Sequence, residues 1–362
     1  MRMNKNILIA TGGTGGHVFP ALSLAEYFLD NDLNIKLTID KRGLKYMEEN
    51  QNLNYEIINS STIYKKNPLS FSISFVKIIY AFFRSILILS KFKPKIVFGM
   101  GGYSSFPICA AAKILKIPFI IYENNLHLGK ANRVLLPFAK KMFVSYLSLE
   151  GVNKEYKNKI FEIGNLIRKD ILTYINFKKN ISENKLTILI LGGSQGAKVF
   201  GLKLPGIFEK CTKAKIKLNI YQQCLPSQIN QLKEKYNLLN IENEIFTFNN
   251  NLLKIFPKID LAISRSGSSM LAELLNCSIP IISIPLPSSA DNHQLKNAEY
   301  FKKMGFSFLI EEKQMDEKLF TLIKSIHKDK DLLNQMIKKQ KKYSDKDVFK
   351  KIQNQINELI ND

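Results

Sequence analysis

The 362-residue sequence has only four cysteines, Cys109, Cys211, Cys224 and Cys277, and none belongs to a CxxC pair. Thiols scattered in this way do not build a zinc site, and they read as reduced side chains of a cytoplasmic protein. Metal-binding carboxylates are missing too. There is no Asp-x-Asp and the four histidines are dispersed, so no metal and no cofactor are expected. The apolar stretch near the amino terminus is too short for a secretory h-region, which argues against export. Low-complexity tracts are absent, and a hydrophobic content of 45% suits a globular chain long enough for two cores. Arginine is scarce. Against a net charge of +22 there are only Arg2, Arg42, Arg84, Arg133, Arg168 and Arg265, and lysine supplies the rest. Nucleic-acid readers rely on bidentate arginine contacts, so a nucleic-acid partner is not expected. Diffuse lysine charge suits an anionic membrane surface or a phosphate-bearing substrate.

What the chain does have is a glycine-rich anchor spelled twice. Apolar residues 7–10 run into Gly12-Gly13-Thr14-Gly15-Gly16-His17 and a helical pattern. Residues 188–191 run into Gly192-Gly193-Ser194-Gln195-Gly196. Each reads as strand, tight turn and helix, aiming bare N–H groups and a positive helix end at whatever lies above. Strand-like runs alternate with helical ones throughout, at 7–10, 35–39, 55–58, 96–98, 119–122 and 141–144, then at 186–191, 216–221, 245–248, 261–264, 280–284 and 308–310. The pattern predicts an α/β fold with parallel sheets in two facing domains, with a cleft between them. The break is expected at Gly164-Asn165, giving domains 1–164 and 165–340. Beyond residue 319 the chain reads as helical, and residues 341–362 can cross back onto the first domain.

Residues 69–92 stand apart. They are strongly apolar yet carry Lys77, Arg84 and Lys91, seven apart and so on one helix face. Three charges through such a segment argue against a bilayer span. Two compatible readings remain: a helix packed on a sheet with a solvated basic stripe, or one that also dips an apolar face into a membrane interface. Lys65, Lys66, Lys93 and Lys95 flank it.

Neither glycine turn is followed by the Lys-Ser or Lys-Thr of a P-loop. Counted from Gly13, the sixth position is Val18, so the dinucleotide fingerprint also fails. Asp40, at the end of the second strand, either imitates the ribose-binding acid of that fold or forms a turn. The combination of motifs is more specific: GGTGGHVFP at 12–20, GMGGY at 99–103, Glu123-Asn124-Asn125, Asn132-Arg133, GGSQGA at 192–197, Arg265-Ser266-Gly267 before Glu273, and Asp291-Asn292-His293-Gln294. In this order the chain, from residue 7 to about 305, resembles the MurG family, two-Rossmann glycosyltransferases of the B type.

The resemblance implies inverting transfer of N-acetylglucosamine from UDP-N-acetylglucosamine to the C4 hydroxyl of lipid I, giving lipid II. It implies work at the cytoplasmic face of the inner membrane, peripherally bound, with other cell-wall synthesis proteins as partners. By resemblance, Thr14, Gly15, Gly16, Asn125, Arg168, Ser194, Asn249, Ser268, Ser269, Met270, Leu271, Ala272, Glu273 and Gln294 bind the UDP-sugar. Glu273 is assigned to the ribose hydroxyls, the alternative being an acid that complements a helix dipole. The loops 12–16 and 99–102, with Gly13, Gly101, Gly102 and Tyr103, are expected to cradle the acceptor's diphosphate, so Thr14, Gly15 and Gly16 lie where both substrates meet. His17, at a helix start that favours a neutral imidazole, is the candidate base, with acceptor binding or helix capping as its other readings.

Several residues depart from the family pattern: Asn249 beside the uracil, Tyr221-Gln222-Gln223-Cys224 in place of His-Gln-x-Gly, Ser278 for a glycine, and Phe106 for a small residue. Two other classes compete with the transferase. A UDP-sugar epimerase on the same scaffold would leave the greasy basic segment without a role. A non-catalytic membrane-bound nucleotide-sugar binder would need a lost base or a partner chain.

Overall fold

Strand-length apolar runs separated by helices suit parallel strands whose sheet is covered on both faces. The computed structural model describes residues 6–47, 52–61, 68–174, 184–193, 198–247 and 252–361. Two compact units emerge, one of residues 1–168 with 345–362 and one of residues 169–344.

The first unit opens with β1 (Asn6–Ala10), α1 (Gly15–Asp30), β2 (Asn34–Ile39) and β3 (Tyr55–Ile57). It continues through α2 (Pro68–Phe92), β4 (Ile96–Gly99), α3 (Gly102–Ile114) and β5 (Phe119–Glu123). Helix α4 (Lys130–Leu135) and strands β6 (Lys141–Val144) and β7 (Ile160–Glu162) follow. Among the described residues these strands form one parallel sheet in the order β3-β2-β1-β4-β5-β6-β7. Strand β7 was absent from the sequence reading, because three residues at a sheet edge are too few to show a period.

The second unit contains α5 (Lys169–Tyr174), β8 (Leu186–Leu191), α6 (Lys198–Lys213), β9 (Leu218–Gln223) and α7 (Ile229–Leu238). Next come β10 (Glu242–Phe246), α8 (Leu252–Ile255), β11 (Leu261–Ser264) and α9 (Ser268–Asn276). It closes with β12 (Ile281–Ser283), α10 (His293–Met304), β13 (Ser307–Leu309), α11 (Met315–Lys328) and α12 (Asp331–Gln340). Its sheet is parallel in the order β10-β9-β8-β11-β12-β13. Leu186, Ile188 and Ile190 of β8 pack into a core with Phe200, Leu204 and Phe208 of α6.

The last helix, α13 (Val348–Asn361), belongs to the first unit. Its Phe349 stacks on Tyr27 of α1 with ring centroids 4.7 Å apart, and Ile352 and Ile356 are buried. Lys141 Nζ donates to the Gln355 carbonyl and side-chain oxygens at 2.8 and 2.9 Å. The buried Asp345 accepts the Asn165 N–H at 2.8 Å, and the Tyr122 hydroxyl accepts that of Leu166 at 3.1 Å. These bonds hold residues 164–166 in the first unit, which runs on through Arg168.

Helix α9 ends on Ser278 at φ +52°, with Ser278 N–H bonded to Leu275 O and Ile279 N–H to Leu274 O. This is the left-handed closing position that favours glycine, and a Cβ there costs about 1 kcal/mol. Ser278→Gly is expected to raise unfolding stability by roughly 0.5–1 kcal/mol, read as a higher urea midpoint at unchanged slope.

Candidate active site

In the first sheet the strand order reverses between β1 and β4, so the turns that leave their carboxyl ends stand side by side and open a crevice. The turn after β1 holds residues 12–16 and the turn after β4 holds residues 100–102. The second sheet repeats this between β8 and β11, setting Gly192 and Gly193 beside residues 265–267. The first anchor and the start of the second, Gly192 and Gly193, therefore stand at equivalent crevices, one in each unit.

Asp40 organises the first crevice. Its Oδ1 accepts the N–H groups of Gly13 at 2.8 Å and Gly43 at 3.0 Å. Its Oδ2 accepts the Ser104 hydroxyl at 3.0 Å and Arg42 Nε at 2.8 Å. Burial alone would raise this carboxyl, but the Gly13 N–H, the Arg42 guanidinium and the Ser104 hydroxyl together hold it below the ordinary carboxylate range. Asp40 is thus a turn former, not a ribose acid. The expected cradle also changes: the Gly13 N–H is spent inside the protein, whereas those of Thr14 and Gly15 have no protein acceptor among the described residues. Gly12 is compact by necessity, since a Cβ there would lie 2.5 Å from Ser104 Oγ.

His17 stands in the first turn of α1, half-buried. Its ring lies along the second turn: a Cβ on Gly101 would come within 3.2 Å of Cε1, and one on Gly102 within 3.3 Å of Cδ2. Both glycines have positive φ, at +84° and +72°, so the turn needs them twice over. The backbone at His17 is fixed by the Thr11 hydroxyl, which donates to His17 O at 2.9 Å, and by Asn124 Nδ2, which donates to Gly16 O at 2.8 Å.

The third arm of this crevice is the segment after β5. Glu123, buried at the strand end, accepts the Gly129 N–H at 2.9 Å and Asn132 Nδ2 at 3.0 Å on Oε2. Its Oε1 accepts Asn125 Nδ2 at 3.0 Å. The Glu-Asn-Asn and Asn-Arg motifs are therefore one clamp that shapes residues 123–132. Asn125 is half-buried there and also donates to Asn124 Oδ1 at 2.9 Å. Tyr103 and Gly102 begin α3, both partly exposed.

In the second unit Gly193 turns at φ +80°, while Ser194 and Asn249 lie outside the described residues. Glu273 is buried in the second turn of α9, past the first turn where a dipole-complementing acid would stand. Ser268, Ser269 and Met270 form the start of that helix, whereas the side chains of Leu271 and Ala272 are fully buried in the core. Gln294 Oε1 accepts the N–H groups of Leu286 at 2.9 Å and Ser266 at 3.2 Å, tying two turns together. Its amide NH2 has no protein partner among the described residues. Asp291 and Asn292 both adopt left-handed φ before α10, a conformation that short polar side chains tolerate best. Arg265 turns inward, pairing with Glu312, donating to the Pro285 carbonyl at 3.2 Å and stacking over Phe200. Arg168 closes the first unit, half-buried.

Among the described residues no group of His, Cys, Asp and Glu could hold a metal ion. All four cysteines are buried outside any disulfide, and burial pushes the Cys211 thiol up to about 12, far from thiolate chemistry.

Comparison with known proteins fits this geometry. Residues 7–144 match the glycosyltransferase family 28 N-terminal domain and residues 187–352 its C-terminal domain. A Pelagibacter ubique protein is 37% identical over 87% of both chains, and one from Francisella tularensis is 33% identical over 99% of this chain and 98% of its own. Both are named UDP-N-acetylglucosamine–N-acetylmuramyl-(pentapeptide) pyrophosphoryl-undecaprenol N-acetylglucosamine transferase. The chain belongs to the MurG family of glycosyltransferases. Its B-type fold is shared with the crystal structure of Acinetobacter baumannii MurG, at TM-score 0.76 and 23% identity over 98% of this chain and 99% of that one. UDP-GlcNAc 2-epimerase from Neisseria meningitidis shares the fold more loosely, at TM-score 0.62 and 16% identity over 98% of this chain and 100% of that one.

The departures from the MurG pattern have local explanations. Phe106 packs against the core of the first unit. Gln222 is buried at the end of β9, where it accepts the Tyr236 hydroxyl at 2.6 Å, and Gln223 Nε2 donates to the Thr247 carbonyl at 3.1 Å. The Tyr-Gln-Gln-Cys stretch thus serves the sheet end.

Proposed function

We propose that this chain moves N-acetylglucosamine from UDP-N-acetylglucosamine to the C4 hydroxyl of the N-acetylmuramic acid unit of lipid I, giving lipid II. One observation carries this reading: relatives bearing that transferase's name match almost the whole chain, both glycine crevices included. In the first unit the acceptor's diphosphate takes the N–H groups of Thr14 and Gly15 and the turn at Gly101, Gly102 and Tyr103. His17 accepts the proton of the attacking hydroxyl. In the second unit Glu273 binds the ribose, Gln294 reads the sugar hydroxyls, and the start of α9 stabilises the leaving UDP. Arg168, Asn125, Ser194 and Asn249 keep the nucleotide-sugar roles that the family resemblance gives them. Configuration inverts in this single displacement. No metal takes part in it.

Acceptor-dependent UDP release in EDTA, from UDP-N-acetylglucosamine and a short-chain lipid I analogue, tests the reading. Release without acceptor would instead favour hydrolysis or epimerase-like chemistry.

Helix α2 supports a membrane-bound site of work. By length and composition Ser72–Phe92 could cross a bilayer, yet Ala81, Ser85, Ile88 and Leu89 are buried in their own unit. Its other face exposes Val76, Tyr80, Phe83 and Leu87, beside the basic row Lys77, Arg84 and Lys91. Such a helix suits partial insertion at the inner membrane's cytoplasmic face, with lysines meeting anionic head groups. Phe83→Ser with Leu87→Ser is expected to weaken co-sedimentation with phosphatidylglycerol vesicles roughly tenfold or more. The urea midpoint should not move, because both side chains are exposed.

A further inference from the structure

Arg42 is one of only six arginines and has no role in the site so far. It follows β2, immediately beside the first glycine turn: a Cβ built on Gly13 would lie 3.6 Å from its NH2 nitrogen. Two of its donors, on Nε and NH2, hold Asp40 Oδ2. This anchors the guanidinium plane on a side chain that is itself fixed by Gly13, Gly43 and Ser104. The remaining NH1 donors and the second NH2 hydrogen have no protein acceptor among the described residues, and the side chain is 57% exposed. A structural arginine would be turned inward onto protein acceptors, as Arg265 is, with its side chain only 7% exposed. Arg42 is instead held at one edge and open at the other.

We propose that Arg42 grips the diphosphate of the lipid-linked acceptor, its open edge completing the cradle that Thr14 and Gly15 begin. The proposal rests on the transferase reading above. Asp40 does not oppose such an anion, because it is buried and its lone pairs are taken by the turn N–H groups, Ser104 and Arg42. The pair carries little net charge, so the attraction comes from oriented charge-assisted donors, the geometry in which arginine outperforms lysine. Because the guanidinium is pre-positioned by Asp40, little side-chain freedom is lost on binding.

Steady-state kinetics with Arg42→Ala and Arg42→Gln test this. The glutamine amide can still donate to Asp40 but lacks charge and fork. Both variants are expected to raise the KM for a diphosphate-bearing lipid I analogue roughly 10- to 100-fold, with kcat and the KM for UDP-N-acetylglucosamine within twofold. Inorganic pyrophosphate should compete with the acceptor in the unaltered enzyme and lose that competition in both variants. An acceptor KM within twofold of the unaltered value in both variants would overturn the proposal. So would a rescue of the alanine defect by glutamine, which would leave Arg42 only a role in the turn. Failure of the unaltered enzyme to release UDP with the analogue would instead overturn the transferase reading itself.

Discussion

Replacing His17 by alanine is expected to lower kcat by about a hundred- to ten-thousand-fold while UDP binding, measured by calorimetry, is unchanged. The magnitude follows from the task. A sugar hydroxyl is a poor nucleophile, and the displacement needs its proton removed as the new bond forms. The imidazole sits at the mouth of the crevice, packed along the turn at Gly101 and Gly102. Its loss should not reshape that crevice, because Thr11 and Asn124 hold the adjoining backbone through bonds that do not involve the ring. A rise in acceptor KM with kcat changed less than tenfold would make His17 an acceptor-binding group and leave the base elsewhere.

Asp40→Ala is expected to be the costliest change in the first unit, at about 3–5 kcal/mol of unfolding free energy. It strands the Gly13 N–H and the buried Ser104 hydroxyl at once, while the Gly43 N–H keeps the Asp40 carbonyl. The contact with Arg42 contributes less, because that side chain is exposed and screened. The folded carboxyl titrates below its ordinary value near 3.8. Its contribution is therefore complete above the unfolded value and is lost as pH falls through the folded one. Urea unfolding at pH 7 and near pH 3 should show a large gap between the two proteins at neutral pH that narrows in acid. An equal gap at both would assign the cost to packing alone.

The first glycine turn was legible in the sequence because glycine chemistry is local: a strand, a positive-φ turn and a helix start announce themselves within ten or so residues. The parallel sheets followed from alternation, and the long helix α2 from its apolar run. What joins these pieces is not local. Asp40 shapes its crevice through the Gly13 N–H and the Ser104 hydroxyl, which lie on other turns, so these partners do not follow from the sequence around it. In this strand order the residue that follows β2, Asp40, lies beside the turn that leaves β1. The same non-locality hid the spent N–H of Gly13 and the inward turn of Arg265, whose partner Glu312 is distant in the chain. Strand β7 was too short to carry a pattern, and the stretch read as helical beyond residue 319 is in fact interrupted between α12 and α13.

The central claim is a transfer between two substrates, so the direct measurement is the mass of the lipid product. After incubation with UDP-N-acetylglucosamine and a short-chain lipid I analogue in EDTA, the acceptor should gain one N-acetylhexosamine, with one UDP released for each acceptor consumed. An acceptor of unchanged mass, with UDP-N-acetylglucosamine converted to an isomer or hydrolysed in its absence, would contradict the account.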